Sequence, residues 1–155
     1  MSNKPVTEAL KKALADTYLL QIKTQNYHWN VEGPGFSSLH ALFQTQYEEL
    51  FLAVDVIAER IRALGEKAPG SYNEFTKLSK LKDGNNELEA DAMVLDLYNS
   101  NQHVIHTLQK LLATGEKASD APTVDIATQR LAVHEKASWM LKSSLPKGAK
   151  LKVAV

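Results

Sequence analysis

Two long segments of this 155-residue chain carry apolar or small residues in alternating steps of four and three. That spacing lays them along one stripe of an α-helix, whereas a strand would alternate faces every second residue. The first stripe is Val6, Leu10, Ala13, Thr17, Leu20, Thr24, Tyr27 and Val31. The second is Leu39, Phe43, Tyr47 (or Gln46), Leu50, Val54, Ile57, Ile61 and Leu64. Gly33-Pro34-Gly35 separates them, because proline and glycine both interrupt helix, and Gly65 closes the second. Pro5 suits the first turn of the first helix.

Beyond Gly65 the chain turns polar until about residue 86, with one short helix predicted near Tyr72 to Leu78. A third long helix is predicted from Asn86, where Asn86 and Glu89 have capping-box spacing, through Leu95, Tyr98, Val104, Ile105, Leu108 and Leu112 to Gly115. The last is predicted from about Thr123 to Leu145, bounded by Pro122 and by Pro146 and Gly148. No segment alternates as a strand would. Short breaks after the first and third long helices make each pair an antiparallel hairpin, and the middle connection of roughly 20 residues can cross the bundle from end to end. One all-α domain over residues 1–155 follows, a ferritin-like four-helix bundle with one long crossover, a short arm at 1–4 and a tail at 146–155. Other bundles share this periodicity, so polar residues must discriminate.

Lys and Arg total 18 and Asp and Glu 18, which excludes a chain built mainly as a polycation for nucleic acid. With no cysteine, disulfides, thiolate-bound zinc, iron–sulfur clusters and thiol nucleophiles are excluded. No apolar run approaches the ~18–20 residues of a membrane span and no signal-like segment opens the chain, so a soluble cytoplasmic protein is expected.

Two histidines flank the Gly-Pro-Gly break at matched heights: His28 before it and His40 after it. Either alone reads as an ordinary core or surface residue; their matched heights raise the case for a shared metal without deciding it. Asp55 and Glu59, four apart, share a helical face on the same flank as His40, although Arg60 and Arg62 also allow a solvated acidic edge. Imidazole with carboxylate and no sulfur suits iron and similar first-row metals. His40 and Asp55 are 15 residues apart, ~22 Å along a helix, whereas metal–ligand bonds are ~2 Å. One chain therefore cannot close the site. Two copies of the second helix packed antiparallel about Glu49–Leu50 would set 40 against 59 and 44 against 55, in an isologous dimer with two equivalent sites.

"HWNVEGPGFSSLHALF" followed by "YEELFLAVDVIAERIRALG", with "HEKASWMLKSSL" in the last helix, resembles Dps, the DNA-protection-during-starvation mini-ferritins. The spacing His-x11-His-x14-Asp-x3-Glu carries the resemblance, which covers essentially the whole chain. It implies a hollow dodecamer with ferroxidase sites at dimer interfaces, iron and no haem, oxidation of Fe(II) preferentially by hydrogen peroxide, and ferric mineral stored in the shell. By that resemblance His28 and His40 are ligands from one subunit, and Asp55 and Glu59 come from its partner, with Glu59 able to bridge towards a second metal. The absence of any Glu-x-x-His pair argues against a site buried within one bundle. Trp29 stands where the family places a tryptophan beside the site, or serves as an interface aromatic.

Four residues past His40 the family often has an acid; here it is Gln44, whose neutral amide leaves the second metal weak or water-mediated. Glu48 is a candidate substitute that also reads as a solvated acid. Glu116, Asp120 and Asp125 are candidates for an acidic threefold pore, Asp125 the best match, although first-turn acids also answer the helix dipole. His103 and His106, three apart, could chelate a metal at the surface; His134, in line with Leu131 and Leu141, reads as buried or hydrogen-bonded. DNA contact would rest on Lys147, Lys150 and Lys152 of a short tail. The opposing reading is a DNA-compacting assembly, nucleoid-associated, with vestigial metal chemistry.

Overall fold

The computed structural model describes residues 3–151, and they form five helices in the order α1 (Lys4–Asn30), α2 (Phe36–Ala63), α3 (Tyr72–Leu78), α4 (Ala90–Lys117) and α5 (Ala121–Ser143). Strand is absent among the described residues, and no described helix is long and apolar enough to cross a membrane. α1 pairs with α2 and α4 with α5, while α1 packs on α4 and α3 on α1. This is a four-helix bundle whose two hairpins are joined by one long crossover, as the connection lengths require.

Every position of the α1 stripe is buried. Its two threonines enter the core because Thr17 and Thr24 each return their hydroxyl to the carbonyl four residues back, Ala13 and Leu20, both at 2.7 Å. On α2, Leu39, Phe43, Leu50, Ile57 and Ile61 are buried, with Val54 and Leu64 at the margin. Gly33 takes φ 105, a left-handed conformation that glycine alone adopts without strain, and Phe36 N–H closes the turn on its carbonyl at 3.0 Å. At the far end Gly65 (φ 93) forms a Schellman cap: its N–H bonds Arg62 O at 3.0 Å and Glu66 N–H bonds Ile61 O at 3.3 Å.

The crossover is sewn to α1 along its length. Ser71 and Glu74 form a capping box that starts α3, and Phe75 stacks on Tyr18 at 4.6 Å between centroids. Ser79 donates to the buried carboxylate of Asp16, and Asn85 N–H donates to the Tyr27 hydroxyl at 3.1 Å. The boundaries of α4 and α5 differ from the sequence reading. α4 begins at Ala90, not Asn86, and its N-cap Glu89 makes no side-chain cap bond. The chain instead turns at Asn85, whose side chain accepts from Glu87 N–H at 3.0 Å while its carbonyl accepts from Leu88 N–H at 3.2 Å. α5 starts at Ala121, two residues before Thr123, because Asp120 caps it and Pro122 is accommodated in its first turn; it ends at Ser143.

Candidate metal centre

The Gly-Pro-Gly turn folds the last turns of α1 onto the first turns of α2, and His28 meets His40 there. Their rings stack with centroids 3.8 Å apart and planes 16° from parallel. His28 Nδ1 lies 2.8 Å from the His40 carbonyl, and His40 Nδ1 lies 2.7 Å from the His28 carbonyl. A carbonyl only accepts, so each Nδ1 must carry the proton and donate. Each Nε2 is then left with a free lone pair, the form in which neutral imidazole binds a metal. Tyr47 meets the His28 ring edge-on at 5.1 Å and Phe36 leans on His40 at 5.0 Å. Neither supporting aromatic stood out in the sequence, where Tyr47 read only as a core position.

Asp55 and Glu59 are exposed on α2, and neither carboxylate has a hydrogen bond or ion pair among the described residues. The arginines that could have made them an acidic edge are engaged elsewhere. Arg60 donates to Asp120 at 2.6 Å and to Thr123 Oγ1 at 3.1 Å, and Arg62 to the Glu66 carbonyl at 2.9 Å. Among the described residues no group of three or more His, Asp or Glu is gathered as a metal site would need. Gln44 donates its amide to Glu48 Oε1 at 2.9 Å, one turn along the same ridge. Phe51, Leu52 and Val56, 64%, 69% and 52% exposed, share this face of α2 with the acids, and Trp29 is 66% exposed beside His28. Four large apolar side chains are thus left open to solvent around this helix and the adjoining turn of α1.

Glu116, Asp120 and Asp125 line a shallow depression of about 410 Å³ between the end of α4 and the start of α5 without forming a metal cluster. Asp120 is not free, however. Burial pushes its carboxyl upward, but bonds from the Thr123 hydroxyl (2.7 Å) and amide (3.2 Å) and the Arg60 guanidinium outweigh it and hold the pKa below the usual range. Asp125 accepts from Gln129 at 2.7 Å. His134 is fully buried, with Nδ1 on Asn101 Oδ1 at 2.8 Å and Nε2 accepting from Arg130 at 3.1 Å; Arg130 also pairs with Glu49. His103 contacts the Asp16 carboxylate at 3.1 Å, a partner far away in sequence, while His106 is exposed. Lys147 and Lys150 are exposed, and Lys152 lies outside the described residues.

A four-helix bundle with one crossover and imidazoles at a hairpin end defines a ferritin-like protein, and the ferritin-like domain family model matches residues 7–151. The chain is 39% identical to a low temperature-induced protein of a Nostoc strain, over 89% of this chain and 78% of that one. It is 33% identical to DNA protection during starvation protein 2 of Bacillus anthracis, over 92% of this chain and 98% of the relative. A solved Vibrio cholerae Dps, described as a member of a broad superfamily of ferritin-like diiron-carboxylate proteins, superposes with TM-score 0.88 at 26% identity, covering 92% of this chain and 89% of that one. The chain belongs to the Dps family of mini-ferritins.

Proposed function

We propose that two copies of this chain form a pair of inter-chain iron-oxidation centres, His28 and His40 coming from one and Asp55 and Glu59 from the other. The observation that carries this reading is the division of the ligands. Two imidazoles with free Nε2 lone pairs sit together in one chain, while the unpaired carboxylates lie ~22 Å further along α2 on its exposed apolar face. Antiparallel pairing of α2 about Glu49–Leu50 buries Phe51, Leu52 and Val56 and sets His40 opposite Glu59.

Fe(II) is the substrate. Two ferrous ions each give up one electron, the O–O bond of hydrogen peroxide breaks, and two protons complete two waters. This chain's residues hold the ions, exclude bulk solvent with Trp29 and Phe36, and supply negative charge that favours the ferric product. Glu59 is placed to bridge towards a second ion, for which Gln44 offers only an amide. Twelve chains would enclose the ferric mineral, with Glu116 and Asp125 at the entry and Asp120 structural. Removing Fe(II) and peroxide together would spare DNA from oxidation.

The test is anaerobic Fe(II) loading followed by one oxidant at a time. Peroxide is expected to oxidise two Fe(II) per molecule and to outpace dioxygen, and His28→Ala with His40→Ala to abolish the reaction in an intact oligomer. Oxidation that survives this double change would refute the assignment.

A further inference from the structure

α2 and α5 pack only sparsely on each other, and a cleft of about 300 Å³ lies between them with Asn101 of α4 at its inner end. Leu42 and Leu50 of α2 and Val133, Ala137 and Met140 of α5 make its walls apolar. At about 100° per residue, Leu42, Gln46 and Glu49 fall roughly a third of a turn around α2 from Leu52, Asp55 and Glu59. The cleft is therefore separate from the face that carries the proposed iron ligands.

The polar side chains enclosed by the cleft are satisfied, with one exception. Asn101 donates to the Leu97 carbonyl at 2.9 Å, and its Oδ1 lies 2.8 Å from His134 Nδ1. Arg130, 7% exposed behind the wall, donates to His134 Nε2 at 3.1 Å and pairs with Glu49. Thr45 returns its hydroxyl to the Ala41 carbonyl at 3.2 Å, and Lys136 is exposed to solvent. Gln46 is the exception: it lines the cleft, and its Nε2 is buried with no hydrogen-bond partner among the described residues. Arg130 Nε is also without a partner, but Arg130 does not line the cleft.

An enclosed N–H beside apolar walls selects for an acceptor carried on an apolar body. Water fits poorly, because it needs about 2–4 polar partners and this wall offers one unpaired group. The Glu49 carboxylate disfavours an anion, and a cation gains little from it because Arg130 already holds it. The volume stands at the lower end of the ~300–1,000 Å³ of small-molecule sites, a scale that suits one ring with a short substituent.

We propose that the α2–α5 cleft binds a small neutral molecule, apolar over most of its surface, whose single carbonyl-type oxygen accepts from Gln46 Nε2. The apolar body covers Leu42, Val133 and Met140, while the Arg130–Glu49–His134–Asn101 network keeps the inner end in shape.

The assembled protein would be titrated calorimetrically with acetophenone and with α-methylstyrene, which has the same shape but a methylene in place of the carbonyl oxygen. Wild type is expected to bind both. Gln46→Met keeps the length of the side chain and removes the N–H, so the ratio of acetophenone to α-methylstyrene affinity should fall about tenfold, as for an enclosed acceptor that loses its donor. Ala137→Leu fills the cleft and should abolish binding of both. Binding of neither compound by wild type up to its solubility limit, or binding that survives Ala137→Leu, overturns the site. A ratio unchanged by Gln46→Met overturns the ligand class. If Ala137→Leu does not assemble, the wild type decides: acetophenone should shift the methyl resonances of Leu42, Val133 and Met140 and leave those of Leu52 and Val56 in place. Absence of such shifts, or shifts of equal size on both flanks of α2, overturns the proposal.

Discussion

The imidazole of His28 is aimed by the backbone of His40, and that of His40 by the backbone of His28. With both tautomers fixed, neither ring has to reorganise to bind a cation. Gln44 stands where the resemblance implies an acid, and its amide is occupied by Glu48 at 2.9 Å. Gln44→Glu replaces that bond with two carboxylates one turn apart, destabilising the metal-free chain by about 0.2–0.5 kcal/mol while offering a second cation anionic ligands. Anaerobic titration should then show more tightly bound Fe(II) per chain than wild type; an unchanged stoichiometry would place residue 44 away from the metal. A different residue, His134, makes stability depend on acid pH. Burial, followed by the charge of Arg130, lowers its pKa from 6.5 to about 3. Between those values the unfolded chain takes up a proton that the folded chain refuses, so this contribution to stability is complete above 6.5 and drains away as pH falls towards 3. His134→Gln keeps a donor for Asn101 and an acceptor for Arg130 but does not titrate. Its loss of unfolding free energy between about pH 7 and about pH 5 should be smaller than that of wild type by about 2 kcal/mol, read by urea denaturation at both pH values.

At the scale of elements, the crossover reaches the His28 end of α1 through Tyr27. Its hydroxyl donates to Asp96 at 2.5 Å and accepts from Asn85 N–H at 3.1 Å, and a side chain at Gly84 would stand 3.2 Å from its ring. Burial, then the Asp96 carboxylate, raises the phenol well above its ordinary pKa, so it remains a donor at any working pH. Tyr27→Phe leaves Asn85 N–H unpaired and Asp96 with Lys23 alone, at a cost of about 1–3 kcal/mol. A lower melting temperature with faster amide exchange around Asn85 is expected; unchanged exchange there would mean the crossover is held by other contacts. The same contact explains what could be read from sequence. The α1 stripe was legible because periodicity is local and all of its positions face one core. The start of α4 was not, because Asn86 and Glu89 have the right spacing while Tyr27, distant in sequence, captures the neighbouring Asn85. The His28–His40 pair was legible because a short turn joins them, whereas their mutual carbonyl bonds depend on how the two helices face each other. The Asp16–His103 contact gave no signal, since helix packing alone brings α1 to α4.

At the scale of the whole molecule, the α2 face that carries Phe51, Leu52 and Val56 together with Asp55 and Glu59 would, in the proposed dimer, serve both assembly and chemistry. In the proposed pairing a twofold axis between positions 49 and 50 would put Glu48 opposite Phe51 and Tyr47 opposite Leu52, with the proposed ligands towards both ends. Such a centre has a signature that no single-chain site can imitate. One variant lacks its imidazoles (His28→Ala, His40→Ala) and another lacks its carboxylates (Asp55→Ala, Glu59→Ala); each alone should be inactive. In a mixed dimer one centre combines the two defects, while the other takes its imidazoles from the second variant and its carboxylates from the first, and is intact. Co-expression in equal amounts should therefore restore about a quarter of wild-type peroxide-driven Fe(II) oxidation, because about half of randomly paired dimers are mixed and each holds one good centre of two. Zero recovery from mixed dimers, with their formation verified by differently tagged chains, would mean that the imidazoles and carboxylates do not serve a shared centre.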